Sequence, residues 1–212
     1  MRVLFITLAV YVLDQASKLA VKGFAIPSLG IQWDGMAYAQ SIHVFGDWCK
    51  ITFIENPNMA FGLEFGGKVI LSVFAILASI GIVFYLYRHR QAQVALRVAL
   101  ALILAGAIGN LTDRLFYGLL YGYAPLFYGN VVDFIDFDLF TVSIGSGAFK
   151  FWPVFNVADC SVSMGVLLYI FRFNPRPKLS DAVVTDQGVV RGADTPPHTG
   201  TPAASGSPVD PV

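Results

Sequence analysis

Val69–Tyr87 is a run of about nineteen residues without Asp, Glu, Lys, Arg or His, and Arg88-His89-Arg90 ends it abruptly. A helix rising 1.5 Å per residue needs about 20 apolar residues to cross the hydrocarbon core of a bilayer. Three further apolar segments accompany it, at about 3–21, 94–117 and 152–173. The expected fold class is therefore membrane all-α, a four-transmembrane-helix bundle occupying residues 1–173. Composition agrees: 56% of the 212 residues are hydrophobic, 13% are charged, and mean hydropathy is +0.64. That charge content is about half of what a water-soluble domain carries. The formal net charge is zero, so no global field argues for a nucleic-acid partner.

The first segment opens with an eleven-residue apolar run, Val3–Leu13, long enough to be a signal-peptide core. Asp14-Gln15-Ala16-Ser17-Lys18 follows it, and the Ala37-Tyr38-Ala39 pattern lies far downstream, so a retained span is expected. Between the first two spans, Cys49–Ile54 has the β-branched and aromatic bias of a strand, with turn residues at Gly46-Asp47 and Asn56-Pro57-Asn58. A small β-rich extracytoplasmic element over about 31–66, lying on the membrane surface, is expected. Residues 174–212 hold seven of the eleven prolines and no Phe, Trp or Tyr, the composition of a disordered tail. Cys49 and Cys160 show no metal-ligand spacing and the three histidines are scattered, so neither metal nor cofactor is expected.

Basic residues set the expected orientation. Arg2, the group Arg88, Arg90 and Arg97, and the group Arg172, Arg176 and Lys178 flank one side, whereas the long connections carry more acids than bases. The positive-inside rule then puts both termini in the cytoplasm. In that topology Asp14 and Lys18, then Asn110, Asp113 and Arg114, then Asn156 and Asp159 all lie beneath the outer surface. The last two are expected one to two turns inside their span, about 10 Å deep. Spacings of three or four residues give each set one helix face, as in Asn156/Asp159/Ser163. Ala105/Gly109 and Ser161/Gly165 are small pairs that let membrane helices approach closely.

Polar groups inside a span can serve as glue, and Asp14 with Lys18 reads as an intrahelical ion pair. Asp159 differs, because no basic residue lies within a turn of it on its own helix. An acid there costs about 2.5–3.5 kcal/mol on insertion scales, and its default reading is functional. Hydrolysis without metal needs a second acid. Asp133, Asp136 and Asp138 all stand in the apolar run before the last span, and position does not choose among them.

Five motifs in order resemble those of lipoprotein signal peptidases, the signal peptidase II family, over residues 1 to about 173. They are Asp14-Gln15-x-Ser17-Lys18, Asn56-Pro57-Asn58-Met59-Ala60-Phe61, Gly109-Asn110-Leu111-x-Asp113-Arg114, Val132-Asp133-Phe134 and Phe155-Asn156-x-Ala158-Asp159. Asn58 stands where the family commonly has glycine, a substitution that still tolerates positive φ. The resemblance implies an aspartic endopeptidase of the bacterial inner membrane, with its site near the outer face. It would cleave prolipoproteins just before a diacylglyceryl-bearing cysteine, so its partners would be those substrates and membrane lipid; a monomer is expected. It assigns catalysis to Asp133 and Asp159. Asn56, Asn110, Arg114, Asn156 and Asp113 would bind substrate or support the site, and Asp14 and Lys18 would be structural.

The rival reading is a small proton-coupled transporter or channel using Asp159 and Arg114. It requires a polar path to the cytoplasmic side, whereas the second span and the inner halves of the third and fourth are apolar. A purely structural assembly subunit is a third reading, and would tolerate alanine at both aspartates.

Overall fold

The computed structural model describes residues 2–57, 67–138, 141–144, 147–150 and 152–173. Helix α1 (Leu4–Lys22) is followed by a short hairpin, β1 (Phe24–Ile26) and β2 (Ile31–Trp33). Strands β3 (Ser41–Phe45) and β4 (Cys49–Asn56) precede helix α2 (Gly67–Arg88) and helix α3 (Val94–Thr112). A π-turn over Asp113–Tyr117 and a final turn α4 (Gly118–Leu120) extend α3. Strands β5 (Val131–Phe137), β6 (Thr141–Ile144) and β7 (Gly147–Lys150) lead to helix α5 (Val157–Phe173). The helices thus come with three small antiparallel sheets, β1-β2, β3-β4-β5 and β6-β7, so the fold is less purely helical than expected. The expected tail, 174–212, lies outside the described residues, as does Asn58-Met59-Ala60-Phe61.

Among the described residues three helices, α1, α2 and the continuous Val94–Leu120, are long and apolar enough to cross a membrane, and α5 is a shorter apolar helix. The central element is α3, which packs against α1, α2 and, most extensively, α5. Its buried residues include Ala99, Ala101, Ala105, Gly106 and Gly109, and their small size is what admits three neighbours. At Gly106 a Cβ would overlap the carbonyl of Ala158, so the α3–α5 crossing excludes any side chain there. On α1 the buried positions Thr7, Asp14, Lys18 and Val21 fall on one stripe facing the bundle. The Thr7 hydroxyl donates to the Ala101 carbonyl at 3.0 Å.

Two element boundaries differ from expectation, and both shape the site. Strand β4 runs on to Asn56, which pairs with Val131 of β5, so the first residue of the expected turn is the last of the strand. The run Val131–Phe137 is itself a strand, with Val132 and Phe134 packed in a core with Val21, Phe53 and Tyr117. The fourth apolar segment is not helical from Trp152. Pro153 disfavours helical geometry at Trp152, and Phe155 is committed to β5: its N–H donates to Ile135 O at 3.0 Å and its carbonyl accepts from Ile135 N at 2.7 Å. The helix starts at Val157, so Asp159 stands in its first turn and not one to two turns inside it.

Candidate active site

Asn156 ends the extended segment and caps α5. Its Oδ1 accepts from the Asp159 N–H at 3.0 Å, while the Asp159 carboxylate accepts from the Asn156 N–H at 3.3 Å. This reciprocal pair is a capping box with Asn at the cap and Asp three residues on. A third orphan donor of the helix end, the Ala158 N–H, is met from α1 by Asp14 Oδ1 at 2.8 Å. A buried anion beside a helix N-terminus is also favoured by the helix dipole.

The same Asn156 side chain reaches across to β5. Its Nδ2 donates to Asp133 Oδ1 at 2.6 Å and to Asn110 Oδ1 at 3.1 Å. From β4, Asn56 Nδ2 donates to the other Asp133 oxygen at 3.1 Å. From α3, Asn110 Nδ2 donates to Asp159 Oδ1 at 2.8 Å. The two aspartates therefore face a common set of amides from three elements. Burial pushes the Asp133 carboxyl up to about 7, with the neighbouring Asp159 carboxylate adding to the rise against the Asn56 and Asn156 hydrogen bonds.

Behind this pair lies a sealed ion cluster. Lys18 Nζ sits 2.9 Å from Asp14 Oδ2 and 2.7 Å from Asp113 Oδ2, with all three side chains fully buried. The ammonium also donates to Asn110 Oδ1 at 3.0 Å, so the Asn110 amide is oriented with its Nδ2 toward Asp159. Asp113 Oδ2 accepts from the Val132 N–H at 3.3 Å, tying α3 to β5 beside Asp133. The expected Asp14–Lys18 pair is thus present, and Asp113 completes it from the next helix.

An apolar cavity of about 570 Å³ opens beside the pair. Asn56, Asn110, Arg114, Asp133 and Asp159 supply its polar wall, while Val131, Trp152, Phe155, Met164 and Leu167 supply apolar wall. Arg114 Nη1 donates to the Asn110 carbonyl at 3.2 Å. All nine residues to which the resemblance gives a role fall on this cavity or on the network behind it. Asp136 does not: its Oδ2 accepts from Thr52 Oγ1 at 2.8 Å, and Asp138 lies 3.4 Å from Lys50 Nζ.

Gln15 and Tyr117 belong to the network and were not singled out from the sequence. Gln15 Nε2 donates to Asp14 Oδ2 and Asp113 Oδ1, both at 3.1 Å, and its Oε1 accepts from the Tyr117 hydroxyl at 3.2 Å. An amide next to Asp14 within an apolar span was the available clue for Gln15. Tyr117 carries no such clue, because its role comes from the π-turn.

Residues 6–174 match the family model described as signal peptidase (SPase) II. A lipoprotein signal peptidase of Porphyromonas gingivalis is 36% identical over 191 residues, covering 75% of this chain and 76% of the relative. One from Pelodictyon phaeoclathratiforme is 33% identical over 182 residues, covering 85% and 95%. Among solved structures, a bacterial membrane enzyme determined by the in meso method at 1.9 Å resolution superposes with a TM-score of 0.62 at 27% identity, covering 82% of this chain and 93% of that one. With the family match spanning most of the chain and a relative 36% identical over three quarters of both chains, this protein belongs to the signal peptidase II family.

Proposed function

We propose that this chain is an intramembrane aspartyl endopeptidase that removes signal peptides from prolipoproteins bearing a diacylglyceryl cysteine, cutting just before that cysteine. Asp133 and Asp159 are the catalytic pair, and Asn56, Asn110, Asn156 and Arg114 position the substrate and the acids. The observation that carries this reading is the sharing of Asn156. Its amide holds Asp133 at 2.6 Å while its N–H holds Asp159 at 3.3 Å, beside a cavity with largely apolar walls. Such walls suit acyl chains, and the polar side suits a peptide bond.

Two neighbouring carboxyls resist ionising together, so the pair holds one proton. That proton belongs to the pair, in which burial and the neighbouring Asp159 carboxylate raise the Asp133 carboxyl. The ionised member takes a proton from water, and the resulting hydroxide adds to the scissile carbonyl carbon as the protonated member protonates the carbonyl oxygen. On collapse, the first carboxyl delivers its proton to the leaving amine, and the second recovers one from the diol.

The topology completes the proposal. The helix α5 is the fourth span, both termini and residues 174–212 are cytoplasmic, and the site lies near the outer face of the bacterial inner membrane. The chain is proposed to act as a monomer. A gel-shift assay on a diacylglyceryl-modified prolipoprotein tests the chemistry. Wild type is expected to convert it, and Asp133→Asn and Asp159→Asn are each expected to lose about 10³-fold in rate while remaining inserted. Normal processing by either variant overturns the pair.

A further inference from the structure

Outside the catalytic pair, four polar side chains converge at the end of the β4–β5 ladder. Asn130 Nδ2 donates to Glu55 Oε2 at 3.2 Å, and its Oδ1 accepts from Lys68 Nζ at 2.6 Å. Glu55 is ion-paired with Lys22, the last residue of α1. Lys22 Nζ in turn sits 4.2 Å from the Tyr121 ring centroid. The Asn130 backbone is fixed as well: its N–H donates to the Tyr123 hydroxyl at 2.8 Å. The preceding Gly129 N–H donates to Arg114 O at 2.9 Å, in contact so close that a Cβ would overlap the Asp113 carbonyl.

One residue further along each strand, Asn56 pairs with Val131, and the Asn56 amide grips Asp133. The direction of that amide depends on where the end of β4 sits relative to β5. A strand end carries few ladder bonds of its own, and among the described residues the β4–β5 ladder ends at the Asn56–Val131 pair. The side-chain cluster ties this end to α1, α2 and the loop after α4.

We propose that Asn130 is a positioning residue: with Glu55, Lys68 and Lys22 it clamps the end of the β4–β5 ladder and so holds Asn56 against Asp133. This rests on the catalytic reading above. Losing the clamp displaces a group one step from the chemistry, and small misplacements of that kind cost up to about 100-fold in rate. Asn130→Ala is expected to lower kcat about tenfold with KM unchanged. Asn130→Asp is expected to be slower still, because it sets a carboxylate against Glu55.

The test is a cycle with Asn56→Ala, measured as kcat on the diacylglyceryl prolipoprotein with the melting temperature followed in parallel. If Asn130 acts through Asn56, the double variant is as slow as Asn56→Ala alone. If the two losses multiply, or if Asn130→Ala leaves kcat at the wild-type value, the proposal is overturned. Lys68→Met run through the same cycle keeps the test decisive where Asn130→Ala does not fold. Should Asp133→Asn process normally, the catalytic reading itself fails, an outcome separate from either result of the cycle.

Discussion

Asp133 is the residue whose surroundings say most about pH. Its carboxyl is pushed up to about 7 by burial and by Asp159, against about 3.9 for a free aspartate. Between those values the folded protein holds a proton that the unfolded chain has released. Its contribution to stability is therefore full below about pH 4 and is lost as pH rises through about 7. The rate should follow the same group: cleavage is expected to fall above about pH 7 as the pair gives up its remaining proton, which a pH–rate profile of kcat will show. Lys18 is the opposite kind of residue, structural and unforgiving. Its replacement by methionine leaves Asp14 and Asp113 buried without their cation, a change expected to destabilise by about 3–5 kcal/mol. Chemical denaturation in detergent micelles measures that loss.

At the scale of elements, the start of α5 does two jobs with one residue. Asn156 caps the helix and also joins the acids, so its loss divides into two readable parts. Asn156→Ala is expected to cost about 1 kcal/mol as a cap, visible in the melting temperature. The cleavage rate should drop far more than that stability change explains, since Asp133 loses a donor and the Asp159 N–H loses its acceptor. Gly106→Val tests the other constraint on α5, its close approach to α3. Overpacking at such a contact costs about 1–3 kcal/mol, and the variant should melt earlier than wild type.

Across the whole molecule, the sheet and the bundle are organised around one seam, where Asn56 of β4, Asp133 of β5, Asn110 of α3 and Asn156 before α5 meet. Asp136→Asn is expected to cleave at the wild-type rate in the gel-shift assay, because Asp136 is turned to Thr52 and not to that seam. An inactive Asp136→Asn would mean the wrong acid had been assigned. Much of this was legible in the chain. Apolar runs near bilayer length announce four helical segments, of which three are long and apolar enough to cross a membrane and α5 is shorter, and polar residues three or four apart put Asp14 with Lys18 and Asn110 with Arg114 on shared faces. What periodicity could not supply was the start of α5, the strand nature of Val131–Phe137, or the clamp at Asn130. Each is decided by partners distant in sequence: Ile135 holds Phe155, Cys49–Asn56 holds β5, and Lys68 with Glu55 holds Asn130. The choice among Asp133, Asp136 and Asp138 shows the division most clearly. Three acids within six residues are equivalent to composition and hydropathy, and only the motif resemblance favoured one. Side chains alternate along a strand, so once β5 is registered against β4, Asp133 faces Asn56, Asn156 and the cavity while Asp136 faces Thr52. The sequence by itself determined which polar residues lie within or beside the apolar spans; strand register and helix capping, both long-range, decided which of them meet.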